Sequence, residues 1–138
     1  MPSAKTSHAR RIALFIAATD VAILGLVLHF LVPGDVAGLI TDALFTVLVY
    51  LLLALIVPAA ARHKVALGAF AISAVIELAQ LTGVPAQLAV SFPPSRLILG
   101  TTFSALDLLA YAVGAAAIYY ADVALSQRGR TWLASRQE

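Results

Sequence analysis

The sequence predicts an all-α, polytopic membrane protein, a four-transmembrane-helix bundle with an apolar loop between helices 3 and 4. Composition is the first observation. The chain is 62% hydrophobic and 12% charged over 138 residues, whereas a soluble domain is about half apolar and about a quarter charged. The second is a set of four apolar runs of about 20 residues, each long enough at 1.5 Å per residue to cross a hydrocarbon core of about 30 Å. The third is the placement of the basic residues. Lys5, Arg10, Arg11, Arg62, Lys64, Arg128, Arg130 and Arg136 flank one side of the predicted bundle, against Arg96 alone on the other. That bias predicts both termini in the cytoplasm. The length suits one four-helix domain over 1–138, with no room for a soluble domain.

Helix 1 is predicted over about 12–32. Arg10 and Arg11 precede it, as they would a signal peptide. The run is too long for an h-region and no A-x-A site closes it, so a retained helix is expected. Asp20 lies near its middle, with no partner that the sequence identifies. His29 lies near its outer end and reads as an interfacial histidine rather than a ligand. Pro33-Gly34-Asp35 is a turn.

Helix 2 follows over about 39–58. Asp42 falls in its first turn, where a carboxylate suits the positive end of the helix dipole. Asp42, Thr46 and Tyr50 share one face by helical spacing. The short basic connection from Pro58 to Lys64 makes helices 2 and 3 antiparallel neighbours.

Helix 3 is predicted over about 65–84. Ser73, Glu77 and Gln80 share one face, and Ala66 and Ala69 continue it with small side chains suited to close helix approach. Glu77 lies about 18 Å along the axis, just past the midplane. A carboxyl there costs roughly 3 kcal/mol or more if it faces lipid. Glu77 and Gln80 therefore read either as a proton-transferring or ligand-binding pair, or as an interhelical hydrogen-bonding link.

The segment Pro85 to Phe103 is the odd connection. It is long and rich in Leu, Ile, Val and Phe, where a solvated loop is polar. It is expected to lie on the membrane surface or to dip back into the bundle, and irregular backbone at depth needs protein or water to satisfy it. Its Arg96 is expected to meet a headgroup or to pair with Glu77 or Asp107.

Helix 4 is predicted over about 104–125. Ser104-Ala105-Leu106-Asp107 reads as a capping box variant, with Asp107 reaching back to the first amide. Asp107, Tyr111 and Gly114 share a face, and Ala110 with Gly114 forms a small-xxx-small pair. Tyr111 reads as a packed, hydrogen-bonding aromatic. Asp122 lies near the cytoplasmic end, within reach of water or Arg128. Trp132 suits an interfacial anchor.

Several function classes fall away. With no cysteine, thiolate nucleophiles, disulfides and zinc–thiolate sites are excluded. No nucleophile elbow, phosphate loop or paired-histidine motif is present, so no cofactor and no metal site is expected. The net charge of +2 comes from the flanks and suits anionic headgroups rather than nucleic acid.

The residues Glu77-x-x-Gln80, Arg96 and Asp107-Leu-Leu-Ala-Tyr111-Ala-Val-Gly114 carry a resemblance. Together they resemble the signature of small bacterial membrane proteins of unknown function: an IELxQ helix, an arginine in the next loop, and a final DLLAYxxG helix. That signature is similar to the wider VanZ-like group, named for a protein associated with teicoplanin resistance, and spans roughly Asp42 to Gly114. Where VanZ-like proteins usually have Asn, this chain has Tyr111. The resemblance implies a multi-pass protein of the bacterial cytoplasmic membrane, with its polar signature on Glu77, Gln80, Arg96, Asp107 and Gly114. It supplies no substrate.

The expected function is binding of a membrane lipid headgroup or amphiphilic small molecule by Asp42, Glu77, Gln80, Arg96, Asp107 and Tyr111. Whether the protein is an enzyme stays open. The alternatives are a membrane-embedded acid/base enzyme using Glu77 or Asp107 on a lipid-like substrate, and a structural membrane subunit whose polar residues only link helices. An oligomer is compatible with the sequence.

Overall fold

A computed structural model of the protein describes residues 4–137. They form α1 (Ala4–Leu31), α2 (Asp35–Ile56), α3 (Arg62–Ala79), α4 (Val84–Ser91), α5 (Arg96–Leu99) and α6 (Ala105–Ser135), with single 3-10 turns at Gln80–Thr82 and Pro93–Ser95. Among the described residues there is no strand. Four stretches are long and apolar enough to cross a membrane: Ser7–Leu31, Asp35–Ile56, Arg62–Thr82 and Ala105–Ser135.

The distribution of side chains is inverted relative to a soluble protein. Phe30, Ile56, Val75, Leu109 and Leu125 are exposed on the outside of the bundle, whereas Thr46, Ser73 and Glu77 are fully buried. Exposed apolar faces on this scale require a hydrocarbon solvent. This is a multi-pass membrane architecture.

α2 is the central helix and packs against α1, α3 and α6, and α3 also packs on α6. Leu14 and Ala18 of α1, Tyr50, Leu51 and Ala54 of α2, and Val65 and Ala69 of α3 form the apolar core. α2 and α6 are in close contact at Gly114. A Cβ there would collide with the backbone carbonyl of Ala43, so only glycine permits this spacing. The bundle has two distinct ends. One gathers Arg10, Arg62 and Asp122 and is called the basic end below. The other carries the turn at Gly34 and the connector from Gln80 to Ser104, and is called the loop end.

The observed helices differ from the hydropathy boundaries in informative ways. α2 begins at Asp35, immediately after Gly34 at φ 113°. Asp42 therefore lies two turns inside the helix and does not cap it; Asp35 occupies the first turn instead. α6 runs ten residues past the predicted end at 125, because Gln127, Arg128 and Arg130 are good helix formers although they are not apolar. The connector is mostly helical rather than an irregular loop. α4, α5 and the 3-10 turns satisfy much of its backbone internally, and Pro85, Ala89 and Ser95 are buried.

Candidate functional site

A cavity of about 890 Å³ opens at the loop end between α1, α2, the connector and the start of α6. Asp42 of α2, Glu77 and Gln80 at the end of α3, Arg96 of α5, and Asp107 and Tyr111 of α6 all line it. The six residues singled out for binding in the sequence thus line one cavity. Apolar side chains line it as well, among them Val21 and Leu26 of α1, Phe45 and Leu48 of α2, and Leu88, Phe92 and Leu97 of the connector. Volumes of this size accommodate a small molecule or part of a lipid.

Glu77 is the best-held side chain of the wall. It is fully buried. One carboxyl oxygen accepts the backbone N–H of Ser104 at 2.6 Å, and the other accepts the Tyr111 hydroxyl at 2.9 Å. This overturns two expectations. The capping box does not close: Ser104 makes no side-chain cap bond, and its amide is met by Glu77 from α3, not by Asp107. Nor does Arg96 pair with Glu77 or Asp107; among the described residues the ion pairs are those of Asp122. The physical reason is reach and saturation. Both Glu77 oxygens are already engaged, and Arg96 is exposed on the cavity rim.

With Glu77 engaged, Asp107 is released from its capping role and faces the cavity. Asp42 lines the same cavity. Gln80 donates through Nε2 to the Leu99 carbonyl at 2.7 Å, which folds α5 back toward α3. Gly100, at φ 61°, lets the chain pass beside that amide, since a Cβ there would meet Gln80 Nε2 at 2.5 Å. Two polar atoms of the wall are left without a protein partner: Gln80 Oε1 and Ser95 Oγ. Ser95 is 8% exposed. It was absent from the residues marked by sequence, because a serine in a Pro-Pro-Ser turn looks like ordinary turn chemistry.

Ser73 shares the face of Glu77 but not its partners. It accepts from Thr46 at 2.9 Å and donates to the Ala69 carbonyl at 3.0 Å. This fully buried pair links α2 to α3 below the cavity. Asp20 is exposed on α1, away from the polar wall. His29 lies on the cavity wall beside the apolar residues of α1. Among the described residues no group of three His, Cys, Asp or Glu side chains is arranged to hold a metal ion.

A second polar centre lies at the basic end, and the sequence did not reveal it. Arg10 donates to both Asp122 carboxylate oxygens, at 2.7 and 3.0 Å. Tyr50 donates to Asp122 at 2.6 Å, and Arg62 Nε stands 3.3 Å from the same carboxylate. Ser126 joins through a 2.7 Å bond from Arg62. Asp122 is therefore neither solvated nor paired with Arg128. It is 8% exposed and ties all four long helices together. The available signal was depth: Arg10, Tyr50, Arg62 and Asp122 fall at similar heights once the helices are drawn antiparallel.

The family described as a protein of unknown function (DUF2809) matches residues 31–115, more than half of the chain. The chain belongs to this family. The match contains Asp42, Glu77, Gln80, Ser95, Arg96, Asp107 and Tyr111 of the cavity lining; it begins after His29 and stops short of Asp122. No curated protein and no solved structure matches the chain.

Proposed function

We propose that the loop-end cavity binds a membrane amphiphile, its polar head against Asp42, Gln80, Arg96 and Asp107 and its apolar chain along α1 and α2. The observation that carries this reading is one cavity of about 890 Å³ lined both by these polar side chains and by many apolar ones. From Val21 to His29 the α1 side rises about 12 Å, close to half of a hydrocarbon core of about 30 Å. A chain with its head at the connector would thus stay within one leaflet. The resemblance to VanZ-like proteins supports the same placement, because Glu77, Gln80, Arg96 and Asp107 of that signature all line this cavity. On this reading the protein resides in a bacterial cytoplasmic membrane. Both termini face the cytoplasm and the cavity opens toward the outer leaflet.

Gly25 provides the test. A Cβ at this position meets nothing within 4 Å, so Gly25→Phe projects a ring into the cavity without displacing the bundle. Native mass spectrometry of the purified protein is expected to show a retained amphiphile that the Gly25→Phe variant loses. Equal retention by both proteins would remove the reading.

A second reading draws on the Asp42–Asp107 pair. Two carboxyls that line one cavity are an arrangement that acid/base catalysis uses. Under it the protein is a membrane-embedded enzyme acting on a lipid-like substrate, with Asp107 a stronger candidate than the fully engaged Glu77. Turnover of a retained lipid by the native protein, abolished in Asp107→Asn, would select this reading over binding alone.

A further inference from the structure

We infer that a groove between α3 and α6, on the flank of the bundle toward its basic end, holds one acyl chain of an anionic phospholipid whose phosphate meets His63 and Arg130. This site is separate from the loop-end cavity and does not rest on the reading given to it.

The groove exists because α3 and α6 are clamped at both ends and underfilled between. Arg62 bonds Ser126 at 2.7 Å near one end, and Tyr111 bonds Glu77 at 2.9 Å near the other. The same number of residues separates the two clamps on each helix, so both bonds fix one antiparallel register. Between them Ala66 of α3 faces Ala112 and Ala116 of α6, and these short side chains leave a groove of about 360 Å³. The clamps prevent the helices from closing it. It runs along about two turns of each helix, or about 12 Å, less than half of a hydrocarbon core of about 30 Å. Leu67 and Tyr120 line it and are exposed toward lipid. Tyr119 packs edge to face on Tyr120, with ring centroids 5.2 Å apart, which stiffens one side. Tyrosines of this kind suit the level where a lipid chain meets its polar head.

Charge decides the occupant. His63 lines the end of the groove nearest the basic end. Arg130 lies about five whole turns beyond Ala112 on α6 and therefore on the same face. His63, Lys64 and Arg130 are exposed and, among the described residues, in no ion pair. The acid at this end, Asp122, is already shared by Arg10 and Arg62. The mouth of the groove is thus cationic, and a phosphate oxygen suits both an imidazole N–H and a guanidinium fork. A second copy of the chain fits less well. Copies inserted in one direction and joined through this groove would bring their two basic ends together, with Lys64 and Arg130 of each opposed to like charge. An anionic lipid places an apolar chain on the apolar floor and a negative head at the cationic mouth.

The test uses the full chain in nanodiscs that hold equal amounts of phosphatidylglycerol, phosphatidylethanolamine and phosphatidylcholine with identical acyl chains. Lipid retained after transfer to detergent is counted by native mass spectrometry, which also reports the oligomeric state. The native protein is expected to retain phosphatidylglycerol over phosphatidylcholine by about tenfold, the factor that one charge-assisted hydrogen bond supplies. Ala116 is exposed, so Ala116→Phe fills the groove from outside the packed core; with an unchanged helical spectrum it is expected to abolish that preference. The double variant His63→Gln, Arg130→Gln is expected to equalise the three heads while lipid is still retained. Gly25→Phe, which occupies the loop-end cavity, is expected to leave the preference in place. Equal retention of the three lipids by the native protein would overturn the inference. So would a preference that survives Ala116→Phe and disappears in Gly25→Phe, which would place the anionic lipid in the loop-end cavity. A native dimer that Ala116→Phe dissociates would assign the groove to a second copy and overturn it as well.

Discussion

At the basic end, Asp122 meets Arg10, Arg62 and Tyr50, with Ser126 alongside, so the four long helices α1, α2, α3 and α6 all contribute to one carboxylate. At the loop end, Glu77 is equally well held by Ser104 and Tyr111, but its neighbours are not. Asp42, Gln80, Ser95, Arg96 and Asp107 line a cavity. Both centres use carboxylates, tyrosines and arginines. The Asp122 carboxylate has its partners within the protein, with Arg62 Nε left beside it without a hydrogen bond; the other centre stands beside a cavity of about 890 Å³. The polar centres of this bundle are therefore of two kinds, and the partners of the carboxylates, not the residue types, tell them apart. A saturated carboxylate stabilises the bundle. The open cavity is where the proposed ligand would sit.

The comparison breaks most sharply at Asp122. Asp122→Ala would leave two guanidinium groups and a tyrosine hydroxyl facing each other without the carboxylate. Removing one partner of a buried ion pair costs about 3–5 kcal/mol. Arg10 and Arg62 are 34% and 35% exposed, so water screens part of this and about 2–3 kcal/mol is expected. Reversible unfolding in mixed micelles measures it. A loss below 1 kcal/mol would mean that the basic end is not the structural tie described here.

Gly114→Val probes what the two ends share. The side chain would collide with the Ala43 backbone and force α2 from α6, at an overpacking cost of about 1–3 kcal/mol. Hydrogen exchange is expected to rise at both ends together, in contrast to Asp122→Ala, where it rises first at the basic end. Exchange confined to one end would show that the two centres are held independently.

Glu77→Gln is milder. The amide keeps one acceptor for the Ser104 N–H and turns its other atom into a donor, so the Tyr111 hydroxyl must reverse its role. A loss of about 1 kcal/mol is expected, with faster amide exchange localised to Ser104 and the first turn of α6. A change of 3 kcal/mol or more would place Glu77 beside Asp122 in structural weight.

Asp42→Asn should be smallest in stability, within about 0.5 kcal/mol, because Asp42 is half-buried against a cavity that Asp107 also lines. Unfolding indistinguishable from the native protein, together with altered lipid retention, would sharpen the contrast between the two ends. A loss of 2 kcal/mol would erase it.

The sequence disclosed the four membrane helices through their hydropathy, and disclosed the residues of the polar wall through their cost in hydrocarbon. Glu77, Gln80, Asp107 and Tyr111 each stand out because a polar side chain in an apolar run demands an explanation. Their partners were not legible. Arg10 and Asp122 are 112 positions apart, and nothing local joins them. Asp107 looked like a cap because Ser104-x-x-Asp107 fits a local pattern, but a carboxylate from another helix took the same amide. Asp42 looked like a first-turn residue because hydropathy starts at Leu39, whereas the backbone turns helical at Asp35, right after Gly34. Hydropathy reports the solvent around a helix. It does not report where the hydrogen-bond ladder begins or ends, and α6 shows the same at its far end.

The bond from Ser104 to Glu77 has a consequence for how such a protein can diversify. Together with the bond from Gln80 to Leu99, it fastens the connector at its two stems. The stretch between is an exchangeable cassette: its sequence and length can change while the frame of α3 and α6 keeps its register, since lengthening a closed loop adds only about 0.6 kcal/mol per doubling. Arg96 and Ser95 belong to that cassette, whereas Asp42, Asp107 and Tyr111 belong to the frame. Replacing one short segment would thus rewrite the rim of the cavity and leave Asp42, Asp107 and Tyr111 in place.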